Sequence, residues 1–106
     1  MELEVFWSEF AKSKLEEIFD YYKLKASLKV ANKIVSGIVN QTIGLNNMPE
    51  MGQIEEILKD DEREFRYLVY TNYKIVYYIN KSAGRVIVAN VFDTRQNPEK
   101  IKKQEF

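Results

Sequence analysis

The sequence contains neither cysteine nor histidine. The absence of cysteine excludes disulfides and thiol nucleophiles, and the absence of both residue types excludes zinc sites of the usual kind and an imidazole base. Any acid–base chemistry must therefore depend on carboxylates, lysine, arginine or tyrosine. The Asp and Glu residues show no spacing that is convincing for a magnesium site. We therefore expect neither a metal nor an organic cofactor.

Long apolar runs are also absent, since none approaches the roughly 20 residues that a membrane span needs. The opening segment, MELEVFWSEF, has no basic region ahead of an apolar one and so does not resemble a secretory signal. A hydrophobic content of 45% with 13% aromatic residues predicts a folded chain. A length of 106 residues fits one domain, residues 1–106. We expect a single cytoplasmic domain outside the membrane.

The formal net charge is zero, but its distribution along the chain is uneven. Residues 1–64 carry 8 Lys and Arg against 13 Asp and Glu, whereas residues 65–106 carry 8 against 3. A neutral chain is not typical of a general nucleic-acid coat. The basic C-terminal half can nevertheless supply a local phosphate-binding face.

The N-terminal half has the periodicity of one strand and two helices. Residues 3–7 alternate as in a strand, and Ser8 and Ser27 are each placed to cap a helix. Residues 46–49 should end the second helix. The helical stripes are Ala11, Leu15, Ile18, Phe19 and Tyr22, and then Ala31, Ile34, Val35, Ile38, Thr42 and Leu45. Two such helices joined by a few residues predict an antiparallel hairpin whose stripes pack in the core.

After Gly52 the period changes to two, which predicts strands. We place them at residues 54–58, 64–70, 73–80 and 85–92, and the last seven residues are suited to a short terminal helix. The predicted fold class is α+β, with a helical hairpin packed on a twisted antiparallel sheet.

Residues 66–78, RYLVYTNYKIVYY, hold five tyrosines and two cations, Arg66 and Lys74. A three-residue loop at 70–72 would leave one face of this hairpin entirely apolar or aromatic, whereas a two-residue loop at 71–72 would charge that face. Burial of a clean face favours the three-residue loop. The other face, away from the helices, would then carry Arg66, Leu68, Lys74, Val76 and Tyr78.

That second face allows two interpretations from the residues alone. Charged side chains on the open face of an antiparallel sheet are routine, so the cations could simply face water. They could also form an anion-binding surface. A face that exposes Leu68, Val76 and Tyr78 beside cations is, in addition, typical of a surface that a protein partner covers.

Six segments in order and spacing resemble the RelE/ParE superfamily of toxins from bacterial toxin–antitoxin modules, also known as plasmid stabilisation proteins. They are VFWSEFAKSKLEEIFDYY, SLKVANKI, LNNMPEMG, EFRYLV, YKIVYYI and VIVANVFDTRQNP. The resemblance covers nearly the whole chain. It implies a helical hairpin on a twisted antiparallel sheet, in agreement with the order predicted above.

The resemblance also implies functional positions at Arg66, Lys74 and Arg95. In the ribonuclease branch, such cations surround the scissile phosphate of ribosome-bound mRNA, where guanidinium groups stabilise the developing negative charge. The chain departs from that branch at Leu68, where the branch has a lysine, and near Ile101, where it has a tyrosine. Possible replacements for the missing acid and base are Glu64, Tyr70, Tyr78 and Lys100.

These departures and the helical segments favour the ParE branch, whose members poison DNA gyrase. We expect the toxin component of a type II toxin–antitoxin system, not an enzyme, neutralised in a hetero-oligomer by a cognate antitoxin. The antitoxin would cover Leu68, Val76 and Tyr78 with a helix or an added strand. The alternatives are a metal-independent, ribosome-dependent mRNA endoribonuclease and a degenerate toxin that only binds its antitoxin. Because the three cations should lie on or beside an open face, replacing any one by Ala should change stability by no more than about 0.5 kcal/mol.

Overall fold

The computed structural model describes residues 2–104, in which two α-helices pack on one face of a five-stranded sheet. This arrangement confirms the predicted α+β class. The strands and helices, in chain order, are β1 (Glu4–Trp7), α1 (Glu9–Lys25), α2 (Leu28–Gln41), β2 (Gln53–Ile54), β3 (Phe65–Tyr70), β4 (Tyr73–Asn80) and β5 (Arg85–Asp93). Short 3₁₀ helices lie at Ile43–Asn46, Glu56–Leu58 and Pro98–Lys103.

Both predicted helix caps of the hairpin are confirmed. The Ser8 hydroxyl accepts a hydrogen bond from the Ala11 amide at 3.0 Å, and the Ser27 hydroxyl accepts one from the Val30 amide at 3.1 Å. Each bond satisfies one of the amide donors left free at a helix N-terminus. Within residues 2–104, neither helix is both long and apolar enough to cross a membrane.

Helix α2 ends earlier than the sequence pattern predicts. The Thr42 amide bonds back to the Val39 carbonyl at 3.0 Å, and its hydroxyl donates to the same carbonyl at 2.7 Å. This tightened last turn continues as the 3₁₀ helix Ile43–Asn46, so the apolar spacing persists beyond the end of the α-helix.

The sheet has the strand order β1-β5-β4-β3-β2, and β1 pairs with β5 in parallel. The other neighbours are antiparallel. The expectation of a wholly antiparallel sheet therefore holds except at this edge. Alternation of apolar residues reports which face a strand buries and carries no information about its direction.

The strand predicted at residues 54–58 is largely wrong, whereas β3, β4 and β5 lie within one residue of their predicted bounds. Only Gln53 and Ile54 pair with β3. The Glu55 side chain then accepts a hydrogen bond from the Ile57 amide at 3.4 Å, which starts a 3₁₀ turn in place of further strand. The terminal helix forms at Pro98–Lys103, and the last two residues of the predicted segment lie outside the described residues.

Both faces of the sheet bury apolar side chains. The helix-side core contains Ala11, Ile38, Leu45, Tyr73, Ile75, Tyr77, Val86, Val88 and Val91. The opposite face holds a second cluster, made of Leu58, Phe65, Val76, Ala89, Phe92 and Ile101. Two of the 3₁₀ helices, Glu56–Leu58 and Pro98–Lys103, supply members of that cluster and so cover part of the face that the sequence predicted to be open.

Candidate functional site

The β3–β4 loop decides how the predicted site residues are arranged, and it has two residues, Thr71 and Asn72. Tyr70 pairs with Tyr73, so the predicted three-residue loop is wrong. Thr71 takes a positive φ of 50°, as the first position of the tight loops that join twisted strands requires. That conformation is uncommon for a β-branched residue.

Contacts to the end of β5 hold this loop in place. The Asn72 amide group donates to the Asp93 carboxylate at 3.1 Å. The Asn72 carbonyl accepts both from the Thr94 amide at 2.8 Å and from the Thr94 hydroxyl at 2.9 Å. These three bonds to residues 93 and 94 stabilise the loop, and a local sequence pattern does not report them.

The register places Arg66 and Lys74 on opposite faces of the sheet. Arg66 lies opposite Tyr77, on the face that packs against the helices, and Lys74 lies opposite Val69, on the other face. The prediction that both cations share one face is therefore wrong. The assumption behind it was that a buried face cannot carry a guanidinium, but the Arg66 side chain is able to satisfy its donors at the rim of that face.

Arg66 is surrounded by acceptors, and its side chain is 16% exposed. One terminal nitrogen donates to the Gly52 carbonyl at 2.9 Å and to the Glu50 carbonyl at 3.2 Å. The other lies 3.0 Å from the Glu64 carboxylate and 3.9 Å from that of Glu50. These contacts give Arg66 a structural role in holding the segment before β2.

Lys74 forms an ion pair with Glu55, a carboxylate that the sequence interpretation did not single out. The ammonium group lies 2.7 Å from the Glu55 carboxylate, whose side chain is 3% exposed, and 4.2 Å from the centre of the Tyr67 ring. A cavity of about 200 Å³ adjoins the pair, lined also by Phe92 and Ile101. The available signal was a glutamate beside Ile54 in a segment predicted to be a strand, because a carboxylate that is buried needs a cation.

Arg95 lies just after β5, and its Nε and Nη2 both donate to the Asp93 carboxylate. The distances are 2.8 Å from Nη2 to Oδ2 and 3.0 Å from Nε to Oδ1, and the Arg95 side chain is 62% exposed. The guanidinium holds the pKa of Asp93 at about 2, and the carboxylate raises the pKa of Arg95. Each of the three predicted cations therefore has an intramolecular carboxylate partner.

The predicted partner-binding residues do not form one exposed face. Leu68 is half-buried on the helix side, whereas Val76 is fully buried in the opposite cluster. Tyr78 is part-buried, with its ring edge-on to Phe65 at 5.4 Å and the guanidinium of Arg63 at 5.3 Å from its centre. Val76 is thus unavailable to a partner, and the expectation of a common exposed surface is corrected.

The proposed replacements for a nuclease acid and base have other surroundings. The Glu64 carboxylate holds Arg66, and the Tyr70 ring lies directly over Gly37, where an added Cβ would be 2.0 Å from a ring carbon. Lys100 is exposed in the last 3₁₀ helix, and its neighbour Ile101 is buried. No hydrogen bond or ion pair within residues 2–104 joins these candidates to one another.

The family model for the ParE toxin of type II toxin–antitoxin systems, parDE, matches residues 5–98. The chain belongs to the ParE toxin family. The resemblance recognised in the sequence is thereby confirmed, and so is its assignment to the ParE branch. This ParE-family protein is the toxin component of a type II toxin–antitoxin system.

Comparison with solved structures supports the fold of this toxin. A chain of the "Chromosomal ParDE TA system from P. aeruginosa" is similar with a TM-score of 0.72 and 17% sequence identity, over 87% of this chain and 96% of that one. At such an identity the likeness concerns the fold alone. No curated protein matches the chain.

Proposed function

We propose that this ParE-family toxin arrests bacterial growth in the cytoplasm by binding and poisoning DNA gyrase, and that a cognate antitoxin neutralises it in a hetero-oligomer. The observation that carries the choice of a non-enzymatic mechanism is the pairing of the three cations. Arg66, Lys74 and Arg95 each have an intramolecular carboxylate, and the first two lie on opposite faces of the sheet.

Cleavage of RNA by its 2′-hydroxyl requires a base, an acid and cations that converge on one phosphate. Two side chains on opposite faces of a sheet, such as Arg66 and Lys74, cannot converge on one phosphate. To bind either cation, the phosphate would also have to displace the carboxylate with which that cation is already paired. This cost favours binding over ribonuclease activity.

The free edge of β3 supports an added strand as one mode of antitoxin binding. Strand β2 pairs with Arg66 and Tyr67, whereas residues 68–70 have no pairing on that side within the described chain. An extended antitoxin segment could bond to this edge. Val69, which is exposed there, would then be covered.

Induction of the chain alone, with and without its antitoxin, tests the proposal. We expect growth arrest that the antitoxin reverses, together with accumulation of cleaved DNA in a gyrase assay. Primer extension on cellular mRNA after induction provides the second readout. Codon-linked cuts without a gyrase effect would assign the toxin to the ribonuclease mechanism, and normal growth at verified expression would indicate a degenerate toxin.

A further inference from the structure

The tip of the helical hairpin is exposed and carries charge of one sign. Residues 23–30, which comprise the end of α1, the two joining residues and the start of α2, are all exposed. Between residues 21 and 49 the sequence has no Asp or Glu. We use the name lysine tip for the set Lys23, Leu24, Lys25, Leu28, Lys29 and Lys33.

The lysine tip differs from the three cations that the family resemblance pointed to, because its charges are not neutralised by a carboxylate of residues 2–104. None of its four lysines takes part in an ion pair with a carboxylate of residues 2–104. Arg66, Lys74 and Arg95, by contrast, are all paired. The positive potential of the tip is therefore available to a second molecule.

Helix stability explains only part of this charge. Lys23 and Lys25 lie in the last turn of α1, where the helix dipole favours cations. Lys29 lies in the first turn of α2, where the dipole disfavours them, and that turn has no acidic residue. A residue that breaks a local rule without compensation inside the fold indicates a functional constraint.

Apolar side chains stand among the lysines. Leu24 is 82% exposed and Leu28 is 54% exposed, and the exposed Tyr21 precedes them on α1. A nucleic-acid backbone would be contacted through cations and hydrogen-bond donors, and it gives exposed leucines nothing to pack against. A protein surface with apolar side chains at its centre and carboxylates around them complements both features.

We propose that the lysine tip is the surface through which the toxin contacts its protein target, and that the contacted patch is acidic with an apolar centre. This inference rests on the proposed function and adds the location and chemistry of the target contact. It assigns target binding to the helical hairpin, away from the three cations that the family resemblance pointed to.

Neutralisation of the four lysines is the first test, because glutamine has nearly the helix propensity of lysine. The tip variant combines Lys23→Gln, Lys25→Gln, Lys29→Gln and Lys33→Gln. A matched control removes the same charge elsewhere through Lys59→Gln, Lys81→Gln, Arg85→Gln and Lys103→Gln, all exposed and outside the ion pairs of the described chain.

We expect the tip variant to bind purified gyrase more slowly by on the order of 10–1,000-fold at low ionic strength. The deficit should shrink as salt rises, because salt screens exposed charges. Growth arrest should weaken in parallel, whereas the control variant should behave as wild type. Full toxicity of the tip variant, or equal losses in both variants, would overturn the proposal.

Lys29→Glu separates binding from folding. A carboxylate in the first turn of α2 should raise the melting temperature through the helix dipole. The same change should lower toxicity, since the new carboxylate would repel an acidic partner. A variant that gains both stability and toxicity would contradict the proposed contact.

The remaining outcomes show which molecule binds the lysine tip. Retained antitoxin binding by the tip variant supports a target surface, whereas lost antitoxin binding overturns it in favour of an antitoxin contact. Wild-type binding to anionic vesicles or to DNA alone, abolished in the tip variant, would overturn a protein partner. If the wild type has no effect on gyrase, and the tip variant loses growth arrest while the control variant keeps it, the lysine tip remains the docking surface but gyrase is excluded as the target.

Discussion

Arg66 and Tyr77 lie opposite each other on β3 and β4, and together they bind both backbone groups of Gly52. Arg66 donates to the Gly52 carbonyl at 2.9 Å, and the Gly52 amide donates to the Tyr77 hydroxyl, also at 2.9 Å. Tyr77 in turn donates to the Pro49 carbonyl at 2.7 Å. The segment that leads into the edge strand is thus held by two side chains of the central hairpin.

Gly52→Ala should destabilise the protein by about 1–3 kcal/mol, as overpacking of a filled site usually does. The added Cβ would lie 2.6 Å from the Tyr77 hydroxyl and 2.7 Å from the Tyr67 carbonyl, which is backbone and cannot move aside. Denaturant unfolding measures the change. Gly44→Ala is the control, because its nearest neighbour would be the Met51 methyl group at an ordinary 3.4 Å. Equal stability of the two variants would show that the Gly52 site can relax.

Lys74→Met should cost about 3 kcal/mol or more, since it leaves the Glu55 carboxylate buried without a cation. This replaces the expectation that loss of Lys74 has almost no effect on stability. The double variant Lys74→Met with Glu55→Gln should recover part of the loss, because no buried charge remains. Unfolding of the two single variants and the double variant completes the cycle. A Lys74→Met protein as stable as wild type would mean that Glu55 can reach water.

Stability should fall in acid through Asp93 and Asp61. Arg95 and Arg63 respectively hold the pKa of these carboxyls at about 2, below the ordinary value of 3.8. A carboxyl whose pKa is lower in the folded than in the unfolded state stabilises the fold at pH values above its unfolded pKa. This stabilisation is lost as the pH falls through its folded pKa. Stability should therefore decline between about pH 4 and pH 2. Asp93→Asn should flatten this decline in a series of denaturant titrations, and an unchanged slope would exclude Asp93 as a source.

Arg95→Ala tests whether the last predicted cation contacts the target or the substrate. Its exposed guanidinium should leave unfolding stability within about 0.5 kcal/mol of wild type. If Arg95 stabilised a transition-state phosphate, activity would fall on the order of 10²–10³-fold. Since the proposed target contact is the lysine tip, we expect Arg95→Ala to keep growth arrest close to that of the wild type. Full toxicity with an unchanged melting temperature would leave Arg95 with only its contact to Asp93.

Local features of the sequence were enough to predict the helices and the long strands. Ser8 and Ser27 were recognisable as caps because a cap depends on hydrogen bonds to amides only three residues away. The period of β4 was readable because Tyr73, Ile75 and Tyr77 bury alternate side chains in the helix-side core. The order and spacing of the six segments also predicted the family, which the match over residues 5–98 confirms.

The hairpin register, and with it the placement of the cations, was decided by the tertiary structure. Alternation alone allows two registers that differ by one residue, and the choice depended on whether Arg66 could lie on a buried face. Gly52 and Glu64 provide acceptors there, and Asn72 fixes the loop to Asp93 and Thr94. The sequence by itself determined the two helices and the three long strands, because caps and side-chain periodicity are local features. Which charges meet was settled only by contacts between residues distant in the chain, such as Lys74 and Glu55.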